Sequence, residues 1–198
     1  MEGGGEMIPF REQKIKNAIA YFASEFYARR CYYPRQTWIY KFLALLDYRM
    51  LRKTGIPCLG LEYYAMQYGP VPVRLYDQRF DLKTDKFQFI RTDDGGSRVE
   101  PCGTPDLDFF SDDELDVMDA ILSVYAGTDL ETLINDAHKE IRAWNKAWEI
   151  AQKVGRGRMP MEYADEFTDL AGEDLTPEEE HFLCYLDMLA IEAAESAS

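Results

Sequence analysis

The chain has 198 residues, 46% of them hydrophobic and 14% aromatic, which suits one domain with a core and at most a small extension. It contains no apolar run of about 18 residues, so no membrane span is expected. The net charge of −14 is uneven: residues 1–100 carry 16 Lys and Arg against 12 Asp and Glu, net +4, while residues 101–198 carry 6 against 24, net −18, a half that repels nucleic acid at long range.

The acidic half reads either as a solvated surface that keeps the protein soluble or as a face that docks a basic protein. The opening Met1-Glu2-Gly3-Gly4-Gly5-Glu6 has neither a basic nor an apolar region. It reads as part of a flexible tail over 1–11 rather than a secretory signal, with the cytoplasm as default compartment. A first helix is expected over 12–29, where Ile15, Ile19, Phe22 and Phe26 recur at helical spacing and Lys14, Lys16 and Glu25 fall off the stripe. A second is expected over 34–54. Ile39, Phe42, Leu43, Leu46 and Met50 form its apolar stripe, widened by Trp38 and Leu45. Lys41, Asp47, Arg49, Arg52 and Lys53 form its wet side, and Gly55 after two basic residues is a stop signal.

An aromatic, partly extended stretch follows over 59–66, then a stiff corner, Gly69-Pro70-Val71-Pro72. Two prolines fix φ and remove two backbone donors, and Pro72 can open a helix through Val73, Leu75 and Tyr76 that ends near Phe80. Residues 86–91 alternate and precede Asp93-Asp94-Gly95-Gly96 and a second short run over 97–100, a hairpin signal. Ser111-Asp112-Asp113-Glu114 is a capping box opening a helix that Gly127 stops. Thr128-Asp129-Leu130-Glu131 reads as another, starting a helix through His138, and a further helix spans 144–154 to Gly155. The stretch 155–174 reads as a loop with a short helix over 162–167. Thr176-Pro177-Glu178-Glu179 is a third capping box, opening a helix with Phe182, Leu183, Leu186, Leu189 and Ala190 on its stripe and a frayed end over 193–198. The fold class expected is mainly α, a compact multi-helix domain with a small β-hairpin or sheet. Its core would lie over 12–154, with 155–198 an acidic loop plus a C-terminal docking helix.

Signals of chemistry are sparse. His138 and His181 are the only histidines, and no GxSxG, HExxH or P-loop pattern occurs; Gly155-Arg156-Gly157-Arg158 is too short for a P-loop and lacks its Lys. Cys31, Cys58, Cys102 and Cys184 are widely spaced without a CxxC, so reduced, buried or half-buried thiols are expected and no metal site or cofactor. The acids at 112–114 are explained by a helix N-terminus. Tyr63, Tyr64 and Tyr68, near Arg74 and Arg79, could stack on bases, but their alternation with apolar residues favours core packing. His138 ahead of Trp144 reads as a buried histidine satisfied by a carbonyl. Arg29, Arg30 and Arg35 with Lys41, Arg49, Arg52 and Lys53 are the one basic surface candidate: a solvated helix face, or a site for nucleic acid or an acidic protein.

Three blocks in this order resemble a known family: Ile39-Tyr40-Lys41-Phe42-Leu43-Ala44-Leu45-Leu46-Asp47-Tyr48, then Tyr63-Tyr64-Ala65-Met66-Gln67-Tyr68-Gly69-Pro70-Val71-Pro72 with Leu75-Tyr76, then Leu130 and Leu133 followed by His138 and Trp144. They are similar to the Panacea domain, the SocA-like antitoxin family once labelled phage-associated proteins. The resemblance covers about 14–150. It marks Tyr63, Tyr64, Gly69, Pro70, Val71, Leu75, Tyr76, His138 and Trp144 as family-motif positions of mainly structural role. It implies a non-enzymatic antitoxin of a two-gene toxin–antitoxin system that binds and neutralises a cognate toxin protein, or in some members hands it to a protease, with different toxins for different members. No nucleic acid or membrane partner is implied. The alternative reading is a nucleic-acid-binding regulator using the basic face of the helix over 34–54, with Arg49, Arg52 and Lys53 in contact with the partner.

Overall fold

Two long helices open the chain, α1 (Arg11–Arg30) and α2 (Gln36–Thr54), close to the expected bounds. They belong to a computed structural model that describes residues 8–196, so most of the tail expected over 1–11 and the last two residues of the expected frayed end lie outside the described residues. Of the tail, Ile8 is described and is buried. On α1 Ala18, Ile19, Phe22, Ala23 and Phe26 face inward, and Phe22 and Phe26 meet Phe42 of α2.

The wet side expected on α2 does not exist over most of its length. Every residue from Trp38 to Tyr48 is buried, as are Met50 and Leu51, and Lys41 and Asp47 are fully enclosed. A helix that is apolar all round is a central helix, and α2 is one. It packs against α1, against the sheets, and against four elements from later in the chain. Lys14 is corrected too: it is buried, and its Nζ donates to both carboxylate oxygens of Glu114, at 2.6 and 2.9 Å.

The extended aromatic stretch becomes β1 (Tyr63–Met66), and the corner at Gly69 becomes β2 (Gly69–Pro72), its antiparallel partner across the two-residue turn Gln67-Tyr68. The expected elbow is therefore a strand. Two prolines are compatible with it because β2 lies at the sheet edge. The Val73 amide donates to the Glu62 carbonyl at 3.0 Å, so the inward-bonded positions of the ladder alternate from there and place Pro70 and Pro72 where no cross-strand N–H is needed. Pro72 then precedes α3 (Val73–Gln78).

The second hairpin forms as expected, β3 (Phe87–Arg91) and β4 (Ser97–Pro101), with Gly95 at positive φ in the turn. It leans on the start of α2 through the Val99 amide on the Pro34 carbonyl just ahead of the helix and the Ser97 hydroxyl on the Gln36 side chain in its first turn.

α4 (Asp112–Tyr125) carries the full Ser111–Glu114 capping box. α5 (Leu130–Glu140) is capped by Asp129, whose side chain accepts from the Thr132 amide, rather than by Thr128. α6 (Arg142–Lys153) comes next with almost no break. The stretch expected as a loop after Gly155 holds a strand that the sequence did not signal, β5 (Arg158–Pro160), antiparallel to β1 on its other side. A 3-10 turn (Tyr163–Glu166) stands where the short helix was expected. α7 (Pro177–Ser196) opens with the Thr176–Glu179 capping box and stays helical through the expected fraying region as far as it is described. It packs its first half on α2.

The result is seven α-helices among the described residues, a three-stranded sheet in the order β2-β1-β5, and a two-stranded hairpin: mainly α with a small antiparallel sheet. No helix among the described residues is long and apolar enough to cross a membrane.

Candidate functional site

The residues singled out by the sequence converge on the β1–β2 hairpin. Lys41 reaches from α2 and its Nζ donates to the Pro70 carbonyl at 2.9 Å. That carbonyl faces away from β1, so Lys41 supplies the donor that a neighbouring strand would otherwise give. On the other side Trp144 of α6 donates its indole N–H to the Met66 carbonyl at 3.2 Å. His138 of α5 lies flat against Trp144, ring centres 3.6 Å apart and planes within 4°, and Trp144 is stacked in turn with Trp148.

Gly69 sits between these groups at φ +95°, and a Cβ there would stand 2.7 Å from Lys41 Cε and 3.1 Å from His138 Nε2. Only glycine lets the hairpin come this close. The expectation that His138 is satisfied by a carbonyl is not met: its Nε2 is buried and has no hydrogen-bond partner among the described residues. Burial lowers the His138 pKa to about 4, with the neighbouring Lys41 charge adding to the effect. Burial alone lowers Lys41 to about 7. Both shifts favour the uncharged forms.

The remaining motif positions frame this clasp. Tyr63 is buried, Tyr64 is half-buried with the Arg158 guanidinium over its ring, and Val71 and Leu75 enter the core. Tyr76 meets the ring of Tyr40 edge-on. Tyr68, at the hairpin turn, is 64% exposed and is the one tyrosine of its group that does not pack inside.

Asp47 holds the chain entering β1. It accepts from the amides of Leu59, Gly60 and Leu61 at 2.5, 3.2 and 3.2 Å, and from the hydroxyls of Tyr63 and Tyr163 at 2.9 and 3.1 Å. Arg11 donates to the carbonyls of Leu59 and Gly60. The backbone polar groups of this irregular segment are thus met from both sides. Burial pushes the Asp47 pKa up, opposed by these donors.

Arg49, Arg52 and Lys53, the residues expected to touch a partner, are each engaged within the chain. Arg49 pairs with both carboxylate oxygens of Glu140 at 2.8 Å, and Arg52 joins Glu140 at 2.6 Å to Glu166 at 2.5 Å. The Glu166 side chain is fully buried, and its second oxygen accepts from the Ala143 amide in the first turn of α6. Lys53 pairs with Asp113 at the surface. This basic face is therefore closed by acids of its own chain.

Cys58 is buried and its thiol pKa is pushed up by burial; Cys31, Cys102 and Cys184 are free and exposed, against the expectation of buried or half-buried thiols. Among the described residues no three His, Cys, Asp or Glu side chains gather as a metal site. Asp47, Glu140 and Glu166 were missed as site residues, and Lys41, expected on the basic surface, is in the core. One signal was available for two of them: the neighbours of Lys41 and Asp47 at three and four positions are apolar except for Thr37.

Chemically, this arrangement positions backbone. Lys41 and Asp47 have no exposure through which a substrate could reach them. The class defined is a mainly α protein whose motif residues clasp a proline-bearing hairpin against a central helix. The family described as antitoxin SocA-like, Panacea domain, matches residues 39–145, and the chain belongs to it. The match spans the clasp from α2 to Trp144 and stops within α6. No curated protein and no solved structure matches the chain.

Proposed function

We propose that this chain is an antitoxin that binds a cognate toxin protein directly and neutralises it, acting in the cytoplasm without catalysis of its own. The observation that carries the reading is the family match over 39–145. The geometry supports it in one respect. The motif residues are committed to holding the scaffold, so they can stay the same while the exposed surface suits different partners. Transfer of the bound toxin to a protease is the adaptor form of the same function.

Co-expression with the product of the neighbouring gene tests it. The neighbour alone should arrest growth, and this chain should restore growth and co-purify with it. A harmless neighbour that does not co-purify would overturn the reading. Toxin levels separate the two forms: a toxin that stays abundant during rescue is neutralised by binding, and one that disappears unless a protease is deleted is handed over.

A further inference from the structure

The second half of α7 projects beyond the core. Phe182 and Tyr185 are 0% and 5% exposed, whereas from Leu186 to Glu195 the residues are exposed apart from the half-buried Glu192. The apolar stripe does not end where the burial ends. Leu186 and Leu189 continue the line of Phe182 and Tyr185 at helical spacing, while Met188 and Ile191 fall on the opposite side of the helix and leave α7 apolar on both sides here. These four are between 37% and 58% exposed, and no other six-residue stretch of the described residues exposes more than two large hydrophobics. Single exposed apolar residues are ordinary; a cluster is not.

Beside this helix lies a cavity of about 580 Å³, open to solvent, with Tyr64, Met161 and Leu189 in its apolar wall and Glu162 and Glu192 among its acids. Arg11, also in the wall, already donates to Leu59 and Gly60. Arg74 of α3 is the other cation there. Charge decides what fits. Residues 159–198 contain twelve Asp and Glu and no Lys or Arg, and α7 itself holds six of those acids. A second copy laid α7 against α7 would set acid against acid with no cation to offset it.

We propose that the projecting half of α7 and the groove beside it dock a basic amphipathic helix of a partner protein, its apolar side on Leu186, Leu189 and Ala193 and its Lys or Arg side chains toward the exposed acids of residues 159–198. This rests on the antitoxin reading only in assigning that helix to the toxin. The mode is a helix in a groove, with the apolar residues supplying affinity and the charges supplying orientation and encounter rate.

The full chain is titrated against a fluorescein-labelled Lys/Leu amphipathic peptide of about 18 residues and against a scrambled peptide of the same composition. The triple variant Leu186→Ser, Leu189→Ser, Ala193→Ser is the comparison, checked by its thermal melt. The amphipathic peptide should bind at least about tenfold tighter than the scramble, and the triple variant should lose at least about tenfold. Binding should also weaken when salt is raised to about 0.5 M. Equal binding of the scramble, or undiminished binding by the variant, overturns the proposal. A wild-type dimer in sedimentation that the triple variant abolishes also overturns it, giving the face to a second copy. In co-expression with a toxic neighbour, rescue by the wild type and not by the variant supports it. Rescue by both removes the docking site and leaves the antitoxin reading standing. Rescue by neither, with peptide binding intact, does the reverse.

Discussion

Asp47 and Lys41 lie six residues apart on α2 and meet burial in opposite ways. Asp47 collects three amides and two phenols, an arrangement suited to a carboxylate whose oxygens only accept. Lys41 has one carbonyl acceptor and no acid partner among the described residues, so its charge is disfavoured. Its effect on stability has a definite sign. In the unfolded chain Lys41 keeps its proton to its ordinary value of 10.5, and in the fold it yields it near 7. Between those values the unfolded chain binds more protons, so Lys41 makes stability rise with pH, by at most about 1.4 kcal/mol per unit; below about 7 its full cost is present. Lys41→Met should flatten the rise between about pH 7 and 9, read from urea unfolding at several pH values. Identical slopes in the two proteins would show that Lys41 is not held as described.

The β1–β2 hairpin shows how an element can be visible in sequence and still be misread. Gly69-Pro70-Val71-Pro72 was identifiable as rigid and as part of a family motif, but two prolines read locally as a breaker. Its strand character depends on β1 beside it and on Lys41 in α2, neither of which a local pattern contains. β5 was invisible for a related reason: Arg158-Met159-Pro160 is too short to show alternation, and it forms because β1 offers an edge. The capping boxes at Ser111 and Thr176 were legible because the signal is confined to four residues. Gly69→Ala tests the clasp. The new methyl would meet Lys41 and His138 at a backbone angle that L residues rarely adopt, and the expected loss is about 1–3 kcal/mol of unfolding free energy. A wild-type denaturant midpoint would mean that the hairpin can back away from α2 at no cost.

Across the whole molecule, the central position of α2 was latent in its composition. A helix with apolar residues on every side belongs inside, and so do its two charges. Reading a wet side from the charges alone gave them more weight than the neighbours around them. The acids that complete the site come from far along the chain: Glu140 from α5 and Glu166 from the 3-10 turn, with Tyr163 on Asp47 and Phe182 on the core. Pairings over 88 to 116 positions have no local signature. They also make the family-matched part depend on the C-terminal segment. Truncation after residue 154 would strip Glu166 from Arg52 and uncover the sites of Phe182 and Tyr185. A loss on the order of 5 kcal/mol is expected, which would leave a chain without a cooperative melt in near-ultraviolet circular dichroism. A truncated chain that melts sharply at the full-length temperature would show the C-terminal segment to be dispensable for folding.

The placement of prolines in the sheet has one more consequence. Pro70 and Pro72 occupy the outward positions of β2, and the Met161 amide on the Tyr63 carbonyl puts Pro160 at an outward position of β5. The β2 border has no backbone donor at either outward position and its Pro70 carbonyl is already occupied by Lys41, while on the β5 border the outward Arg158 keeps its N–H. The β2 border is no template for an incoming strand. Two copies of the protein are thereby kept from joining through their β2 edges, and a partner that meets that border has to recognise side chains rather than extend the sheet.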